Sequence, residues 1–352
     1  MINELLKSET SWEIFKNSQT PIVLYGTGNG ADKVLDEFER LGIKASGVMA
    51  SDGFVRQRSF RGFKVMSLRE IEETFEDFII ALCFASSLQE VTDSIRCLAK
   101  CHKVLMPAVP VFGDTIFNRE YAEKNADKLC RVRGLLFDEE SRNVFDNMIK
   151  FRYTGELSYL FQSESSREKA LKEILNLTNR ENILDLGAYR GDTIEEIRSV
   201  FGGFESVIAL EPDKKSYEKL CEYAKGKGNI KALPYAVWEN GREFEFSGSG
   251  GRQSTLYGKG KYTVKAVAVD NILEDSQITY AKMDVEGAEK EALLGMKNLL
   301  AKKKPKLSVA AYHRTEDLCT LIPLIHSLNP DYKIYLRHHP YIPFWDTNLY
   351  CV

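Results

Sequence analysis

The sequence of 352 residues lacks several features that would assign it to a special class of protein. Its longest apolar run, at 104–112, is interrupted by Pro107 and Pro110 and is far shorter than the ~18 residues of a membrane helix. The N-terminus carries acidic residues and no apolar core of the kind found in export signals. Lys and Arg number 48 against 51 Asp and Glu, so the basic excess typical of nucleic-acid-binding domains is missing. We therefore expect neither a membrane span nor a nucleic-acid partner.

Cysteine is scarce and irregularly placed in this chain. The seven cysteines form no CxxC pair and have no regular spacing. An odd number of scattered cysteines is typical of reduced thiols, so the sequence predicts a cytoplasmic protein without a disulfide framework. A metal site is not favoured, because no HExxH or CxxC-type spacing fixes a set of ligands, and a divalent cation is left open.

Short apolar strands alternate with amphipathic helices in two separate parts of the chain. The first alternation covers residues 20–106, and the second begins near residue 182. The stretch between them shows helical patterns at Tyr121–Cys130, Glu139–Phe151 and Ser166–Leu177. Since such alternation is typical of right-handed βαβ units, we predict an α/β protein with two Rossmann-like parallel sheets joined by a helical bridge. The predicted parts are an N-terminal Rossmann-like domain at 1–106, a helical connector at 107–180 and a second domain at 181–352.

A glycine-containing loop follows the first strand of the second alternation. It includes Asp185, Gly187 and Gly191, and its spacing is neither GxGxxG nor GxxxxGK[ST], so it predicts neither a dinucleotide nor a nucleoside triphosphate site. The next strand ends at Glu211, 26 residues after Asp185. Both acids are then expected at carboxyl ends of neighbouring strands, where ligands bind in such sheets. Because a carboxylate there can accept both ribose hydroxyls, the pattern favours a nucleoside that carries an amino acid and no phosphate, as S-adenosylmethionine does.

Three further polar residues are predicted to meet at the same edge of the sheet. Asp284 ends the fourth core strand, Glu286 follows two residues later, and His313 ends the fifth strand. A carboxylate or an imidazole can remove the proton of a hydroxyl group that attacks a methyl donor. Asp284, His313 and Glu286 are therefore the candidate catalytic residues, although a capping role for Glu286 and a purely structural one for His313 stay open.

The second half of the chain resembles the FkbM family of S-adenosylmethionine-dependent methyltransferases. The matching stretches are ILDLGAYRGDT, VIALEPD, ALPYAVWE, AVAVDNIL, YAKMDVEGAEKEALLGM and KLSVAAYH. The most specific of them runs from Lys282 to Glu289 and is followed by Gly295. The resemblance covers about residues 155–352 and implies a seven-stranded class I methyltransferase fold. The Gly-rich insert at 247–261 is less familiar in this family.

The resemblance also implies which residues bind S-adenosylmethionine. Tyr159 is included because related enzymes carry an aromatic residue before the first strand. The expected cofactor-binding residues are Tyr159, Asp185, Gly187, Ala188, Tyr189, Gly191, Thr193, Glu211, Pro212, Ala236, Val237 and Asp284.

The family methylates hydroxyl groups, commonly on sugars, glycolipids or secondary metabolites. We therefore expect an O-methyltransferase whose partner is a small-molecule or glycan acceptor, and a homo-oligomer is left open. Two alternatives remain, namely N-methylation of an amine and a non-catalytic protein that senses a nucleotide or nucleotide sugar.

The first half carries a second glycine loop, from Gly26 to Ala31, between a strand and a helix. It satisfies G-x-G-x-x-A, but the next strand ends at Ser51, where a dinucleotide-binding enzyme would place an acid. The block at 42–71 resembles nucleotide-sugar-associated Rossmann-like domains, and Arg56, Arg58 and Arg61 are candidates for phosphate contacts. A structural or acceptor-docking role is the favoured reading, and ligand binding is the alternative.

Overall fold

The computed structural model describes residues 2–55, 59–246, 262–273 and 277–352, and the chain divides into two compact units. Each unit is built from three segments of the chain. The first comprises Met1–Arg133, Arg142–Glu164 and His338–Asp346, and the second comprises Gly134–Ser141, Ser165–Arg337 and Thr347–Val352. The three-part division at residues 106 and 180 stays a prediction about independently folding regions. In the described ranges, no helix combines the length and the apolar composition that crossing a bilayer requires.

A six-stranded sheet forms the centre of the first unit, with the strand order β3-β4-β2-β1-β5-β6. These strands are β1 (Ile22–Tyr25), β2 (Gly47–Met49), β3 (Ser59–Phe60), β4 (Phe63–Met66), β5 (Ile79–Leu82) and β6 (Lys103–Leu105). All neighbours pair in parallel except β3, which forms an antiparallel hairpin with β4 at the sheet edge. The predicted parallel sheet is thus present, and the hairpin is an addition that the alternation did not indicate.

Helices surround this sheet and continue through the region predicted as a connector. They are α1 (Ile2–Leu5), α2 (Ser11–Asn17), α3 (Asn29–Leu41), α4 (Leu68–Thr74), α5 (Gln89–Cys101), α6 (Arg119–Lys124), α7 (Ala126–Gly134), α8 (Glu139–Thr154) and α9 (Leu157–Phe161). Local sequence explains several starts; α4, for example, begins with a capping box in which Ser67 and Glu70 satisfy each other's backbone N–H groups. The helix predicted at Tyr121–Cys130 is broken at Asn125, whose side-chain amide donates to the carbonyl of Tyr121.

A seven-stranded sheet forms the centre of the second unit, in the order β15-β16-β14-β13-β7-β8-β9. Its strands are β7 (Asn182–Leu186), β8 (Ser206–Leu210), β9 (Ile230–Leu233), β13 (Tyr280–Met283), β14 (Lys306–Ala310), β15 (Ile334–His338) and β16 (Thr347–Cys351). The five strands from β14 to the edge strand β9 run parallel to one another, and β16 lies antiparallel to β14. The first strand β7 therefore lies between β8 and β13, which confirms the predicted two-sheet α/β fold and its seven-stranded C-terminal part.

The remaining elements of the second unit complete its outer layers. The helices are α10 (Arg167–Lys169), which continues as a π-helical turn at Ala170–Ile174, α11 (Asp192–Phe201), α12 (Lys214–Ala224), α13 (Val269–Ile272), α14 (Glu289–Gly295), α15 (Lys297–Lys303) and α16 (Asp317–Leu328). A small sheet orders β10 (Ala236–Val237), β12 (Tyr262–Val267) and β11 (Arg242–Phe246). β11 and β12 pair antiparallel on either side of the insert at 247–261, which lies outside the described residues.

Two elements of this unit are interrupted for identifiable reasons. The apolar stretch at 229–238 forms two strands, β9 and β10, on either side of Pro234, which has no N–H group for strand pairing. The amphipathic stretch at 289–300 divides at Met296 into α14 and α15. Gly295 ends α14 so close to the carbonyl oxygen of Trp238 that a side chain there would collide with it. The glycine in this motif therefore has a packing reason.

Candidate functional site

The loop after β7 passes close to the backbone that follows β13. Gly187 adopts φ +78°, a left-handed conformation that favours glycine, and a methyl group on it would collide with the carbonyl oxygen of Asp284. The N–H of Asp284 donates to the carbonyl of Leu186 over 3.0 Å, so the pairing continues to this point. Gly191, at φ +92°, precedes α11 and turns the chain into that helix. This geometry brings the carboxyl ends of β7 and β13 together.

Glu211, directly after β8, joins the neighbouring loop to this edge. Its Oε2 accepts the backbone N–H of Tyr189 at 2.8 Å, and its Oε1 accepts the N–H of Asp213 at 2.8 Å. Burial raises the pKa of Glu211 to about 7, although both N–H groups favour the ionised form. The carboxylate is therefore fixed in place at the strand end where sequence reasoning predicts a ribose-binding acid.

Asp185, the fourth residue of β7, is fully buried and faces a buried lysine. Oδ1 of Asp185 lies 3.4 Å from Nζ of Lys282, and that ammonium group also donates to the carbonyl of Gly187 at 3.0 Å. Among the described residues, neither carboxylate oxygen of Asp185 has a hydrogen-bond partner. Burial raises the pKa of Asp185, whereas for Lys282 the nearby carboxylates outweigh burial and raise its pKa. Lys282 thus offsets the charge of Asp185, and its hydrogen bond to Gly187 stabilises the loop after β7.

Asp284 is the most accessible of the three candidate catalytic residues, with 35% of its side chain exposed. The hydroxyl of Tyr312, at the end of β14, donates to both of its carboxylate oxygens over 3.4 Å. Nε2 of His313 lies 3.5 Å from Oδ1 of Asp284 and 3.5 Å from Oε2 of Glu286. The structure therefore brings Asp284, Glu286 and His313 together.

The imidazole of His313 is held between carboxyl groups on both of its nitrogens. Its side chain is 2% exposed, and Nδ1 lies 3.0 Å from Oε1 of Glu289, which also accepts the N–H groups of Val285 and Gly287. Although burial lowers the pKa of His313, the surrounding carboxylates Glu289, Glu286 and Asp284 outweigh it and raise that pKa to about 10. Burial raises the pKa of Glu286 to about 8, against the opposing effect of His313.

The other predicted cofactor-binding residues are distributed over both units. Ala188 and Tyr189 belong to the loop after β7, Thr193 is in the first turn of α11, and Pro212 follows Glu211. Ala236 and Val237 form β10, which pairs with β12. Tyr159 belongs to the first unit, where the ammonium of Lys150 lies 5.3 Å from its ring centre. The binding roles of all these residues stay predictions.

Three residues of the site received no role from sequence reasoning. Lys282 lay within the most family-specific stretch, and its position two residues before Asp284 in a buried strand was a usable signal, since a buried lysine needs a partner. Glu289 lies in the first turn of α14, where the favourable interaction of an acid with a helix N-terminus already explains it. Tyr312 had no signal beyond its place next to His313.

The glycine loop of the first unit has a packing explanation. Gly26 adopts φ +128°, and a side chain on Gly30 would collide with the carbonyl oxygen of Cys83. Arg61, a candidate for phosphate contact, lies with a guanidinium nitrogen 2.7 Å from Oδ1 of Asp36. Arg56 and Arg58 lie outside the described residues.

Comparisons with known proteins find one family model and several solved structures that are similar to this chain. Residues 185–342 match the family model described as the methyltransferase FkbM domain. A crystal structure of methyltransferase FkbM from Methylobacillus flagellatus KT is similar over 100% of this chain and 93% of its own, with 21% identity and a TM-score of 0.70, and this likeness shows a shared fold. Aeropyrum pernix fibrillarin in complex with S-adenosyl-L-methionine covers 53% of this chain and 73% of its own, at 15% identity and a TM-score of 0.35. A comparison with curated proteins gives no match.

Proposed function

We propose that this chain methylates a hydroxyl group of a carbohydrate or related metabolite, with S-adenosylmethionine as the donor. The proposal starts from its methyltransferase FkbM domain, which makes the chain a methyltransferase. The observation that carries the proposal is the convergence of Asp185, Glu211 and Asp284 at the carboxyl ends of three adjacent strands of one sheet. Ligands bind at this edge in open α/β sheets, next to the point where strand order reverses.

The residues at this edge fit S-adenosylmethionine. The two carboxylate oxygens of Asp185 are buried without a hydrogen-bond partner in the described parts of the chain, and Gly187 keeps the loop free of a side chain. Glu211 would accept hydrogen bonds from the ribose hydroxyls, and the loop from Gly187 to Gly191 would face the amino acid portion. When bound, S-adenosylmethionine supplies a methyl group already activated by a positively charged sulfur.

Asp284 is the group best suited to take the proton of the acceptor hydroxyl. It is partly exposed, whereas His313 is buried. The carboxyl groups around His313 raise its pKa and so favour its protonated form, which makes Asp284 the better candidate for the base. His313 would instead position the carboxylates of Asp284 and Glu286, and Tyr312 would orient Asp284 by donating to it. The first unit would have a structural or acceptor-docking role.

The proposal is tested by incubating the full chain with S-adenosylmethionine carrying a ¹³C-methyl group and a panel of acceptors. The panel contains free sugars, nucleotide sugars, glycolipids and amines of similar size. We expect S-adenosylhomocysteine to form together with an O-methyl product, located by NMR. A product methylated on nitrogen would replace the proposal by the alternative reaction, and S-adenosylhomocysteine binding without any turnover would favour the sensor.

A further inference from the structure

Asp284, Glu286 and His313 bring two carboxylate oxygens and one imidazole nitrogen within 4.8 Å of one another. We propose that this trio, called the DEH cluster below, binds a divalent cation of the Mg²⁺ and Mn²⁺ class. The proposal rests on the proposed function, because the same edge of the second sheet would receive the acceptor hydroxyl. The cation would lower the pKa of that hydroxyl, so its deprotonation would depend less on Asp284 as a base.

The two His313 distances in the DEH cluster are close to those of a coordination sphere. Nε2 of His313 lies 3.5 Å from one oxygen of Asp284 and 3.5 Å from one oxygen of Glu286. Ligand atoms bonded to one cation at about 2.1 Å lie about 3.0–3.4 Å apart in octahedral or tetrahedral sets. Small side-chain adjustments would therefore suffice to place all three atoms around a single ion.

Glu289 gives an independent reason to treat His313 as a ligand. Metal-binding histidines commonly offer one ring nitrogen to the ion and donate the other N–H to a carboxylate or carbonyl, which fixes the ring. The side-chain positions of His313 resemble this arrangement, because Nδ1 lies 3.0 Å from Oε1 of the buried Glu289 and Nε2 faces Asp284 and Glu286. Coordination requires a neutral imidazole at Nε2, so binding of the ion would release a proton to solvent.

The charge and the exposure of the DEH cluster also suit a cation. Counting Glu289, three carboxyl groups surround one imidazole, while the ammonium of Lys282 is directed to Asp185 and Gly187. Asp284 and Glu286 are 35% and 28% exposed, so an ion could enter from solvent and retain open positions for water or a hydroxyl. The two carboxylate oxygens suit Mg²⁺ and Mn²⁺, and the single imidazole nitrogen favours Mn²⁺, the softer ion of this pair.

The test measures Mn²⁺ binding directly, without methyl donor or acceptor. The full chain is treated with EDTA, dialysed and titrated with Mn²⁺, and free Mn²⁺ is followed by its electron paramagnetic resonance signal. We expect one ion per chain, competition by Mg²⁺, and at least about tenfold weaker binding for Asp284→Asn, Glu286→Gln and Glu289→Gln. Glu222→Gln, which removes an exposed carboxylate from α12, should bind Mn²⁺ as the wild type does.

Two results would overturn the proposal. One is no stoichiometric Mn²⁺ binding to the wild type, and the other is binding that Asp284→Asn and Glu286→Gln leave unchanged. If those variants fail to fold, pulsed electron paramagnetic resonance of the Mn²⁺-loaded wild type decides. An imidazole ligand gives a ¹⁴N coupling, and a spectrum without that coupling contradicts the proposal. Binding of S-adenosylhomocysteine in EDTA tests the proposed function separately, since it is expected whether or not a cation binds.

Discussion

Nδ1 of His313 lies 3.0 Å from Oε1 of Glu289, and both side chains are almost completely buried. The same Glu289 oxygen accepts the N–H groups of Val285 and Gly287, so the carboxylate ties the turn after β13 to the end of β14. Because Glu289 holds the Nδ1 side of the imidazole, Nε2 is directed to Asp284 and Glu286. Asp284 and Glu286 are both partly exposed, and Asp284 is the more exposed of the two.

The first prediction concerns Asp284 as the proton acceptor. Asp284→Asn keeps the size of the side chain and removes its basicity, so turnover should fall by about a hundredfold, within the range of a lost general base. Affinity for S-adenosylhomocysteine should change only a few fold. Steady-state kinetics and calorimetry measure the two quantities, with the exposed Asp331→Asn as the matched control. Full turnover in Asp284→Asn would leave alignment of the reactants as the whole mechanism.

The second prediction is a pH dependence of cofactor affinity set by Glu211. Its pKa is about 7 in the folded chain against an ordinary value of 4.5, and only the ionised form accepts two charge-assisted hydrogen bonds. The dissociation constant of S-adenosylhomocysteine should therefore rise as the pH is lowered from 8 to 6. Calorimetric titration at several pH values measures this, and Glu211→Gln should remove the pH dependence. If the affinity of the wild type does not change between pH 8 and pH 6, Glu211 is excluded as a ribose ligand.

The raised pKa of Glu211 also affects the stability of the fold. Stability is expected to fall as the pH rises, whereas cofactor affinity is expected to increase. Since the pKa of Glu211 is higher in the folded chain than in the unfolded one, ionisation disfavours the folded state. The contribution of Glu211 to the free energy of unfolding should therefore decline as the pH rises from about 4.5 to about 7. Urea unfolding of the wild type and Glu211→Gln across this range measures it. An equal pH dependence in both proteins would contradict the assignment.

The third prediction tests whether the segment at 338–346 contributes to the hydrophobic core of the first unit. Phe344 is 3% exposed, and its ring centre lies 6.0 Å from that of Phe151. Phe344→Ala should lower the free energy of unfolding by about 3–5 kcal/mol, as usual for a buried phenylalanine. Phe54, which is 70% exposed, provides the control Phe54→Ala, with an expected change within about 0.5 kcal/mol. Equal effects of the two substitutions would mean that the segment does not contribute to this core.

The fourth prediction separates packing from ligand binding in the first glycine loop. A Cβ on Gly30 would collide with the carbonyl oxygen of Cys83, whereas one on Gly53 would meet nothing within 4 Å. Gly30→Ala should therefore destabilise the chain by about 1–3 kcal/mol, and Gly53→Ala should be nearly neutral. Thermal unfolding compares the two variants. Unchanged stability in Gly30→Ala would show that this glycine is not required for packing.

The strand order was predictable, and the composition of the units was not. Outside the β3–β4 hairpin, most strands of the two large sheets are short apolar runs, and several, such as β1, β7 and β8, are followed by amphipathic helices. Connection rules then restrict the topology. The hairpin is short and partly exposed, so it leaves a weak hydrophobic pattern. The assignment of 142–164 and 338–346 to the first unit depends on contacts between residues far apart in sequence, as Phe151 and Phe344 illustrate.

Residues of the candidate site were predictable where a strand end fixed their position. Asp185, Glu211, Asp284 and His313 follow from the rule that ligands bind at carboxyl ends of parallel strands. The links between them were not predictable, because they depend on side-chain direction. Examples are the donation from Tyr312 to Asp284 and the contact between Glu289 and His313.

The most direct test of the account is the binding of S-adenosylhomocysteine to the wild type and to Glu211→Gln at pH 8. Glu218→Gln, on the exposed face of α12, serves as the control for loss of one negative charge. We predict a saturable isotherm with one site per chain for the wild type and the control, and an affinity at least about tenfold lower for Glu211→Gln, equivalent to ~1.4 kcal/mol. Equal affinity for all three proteins, or no binding to the wild type, would contradict the proposed cofactor site.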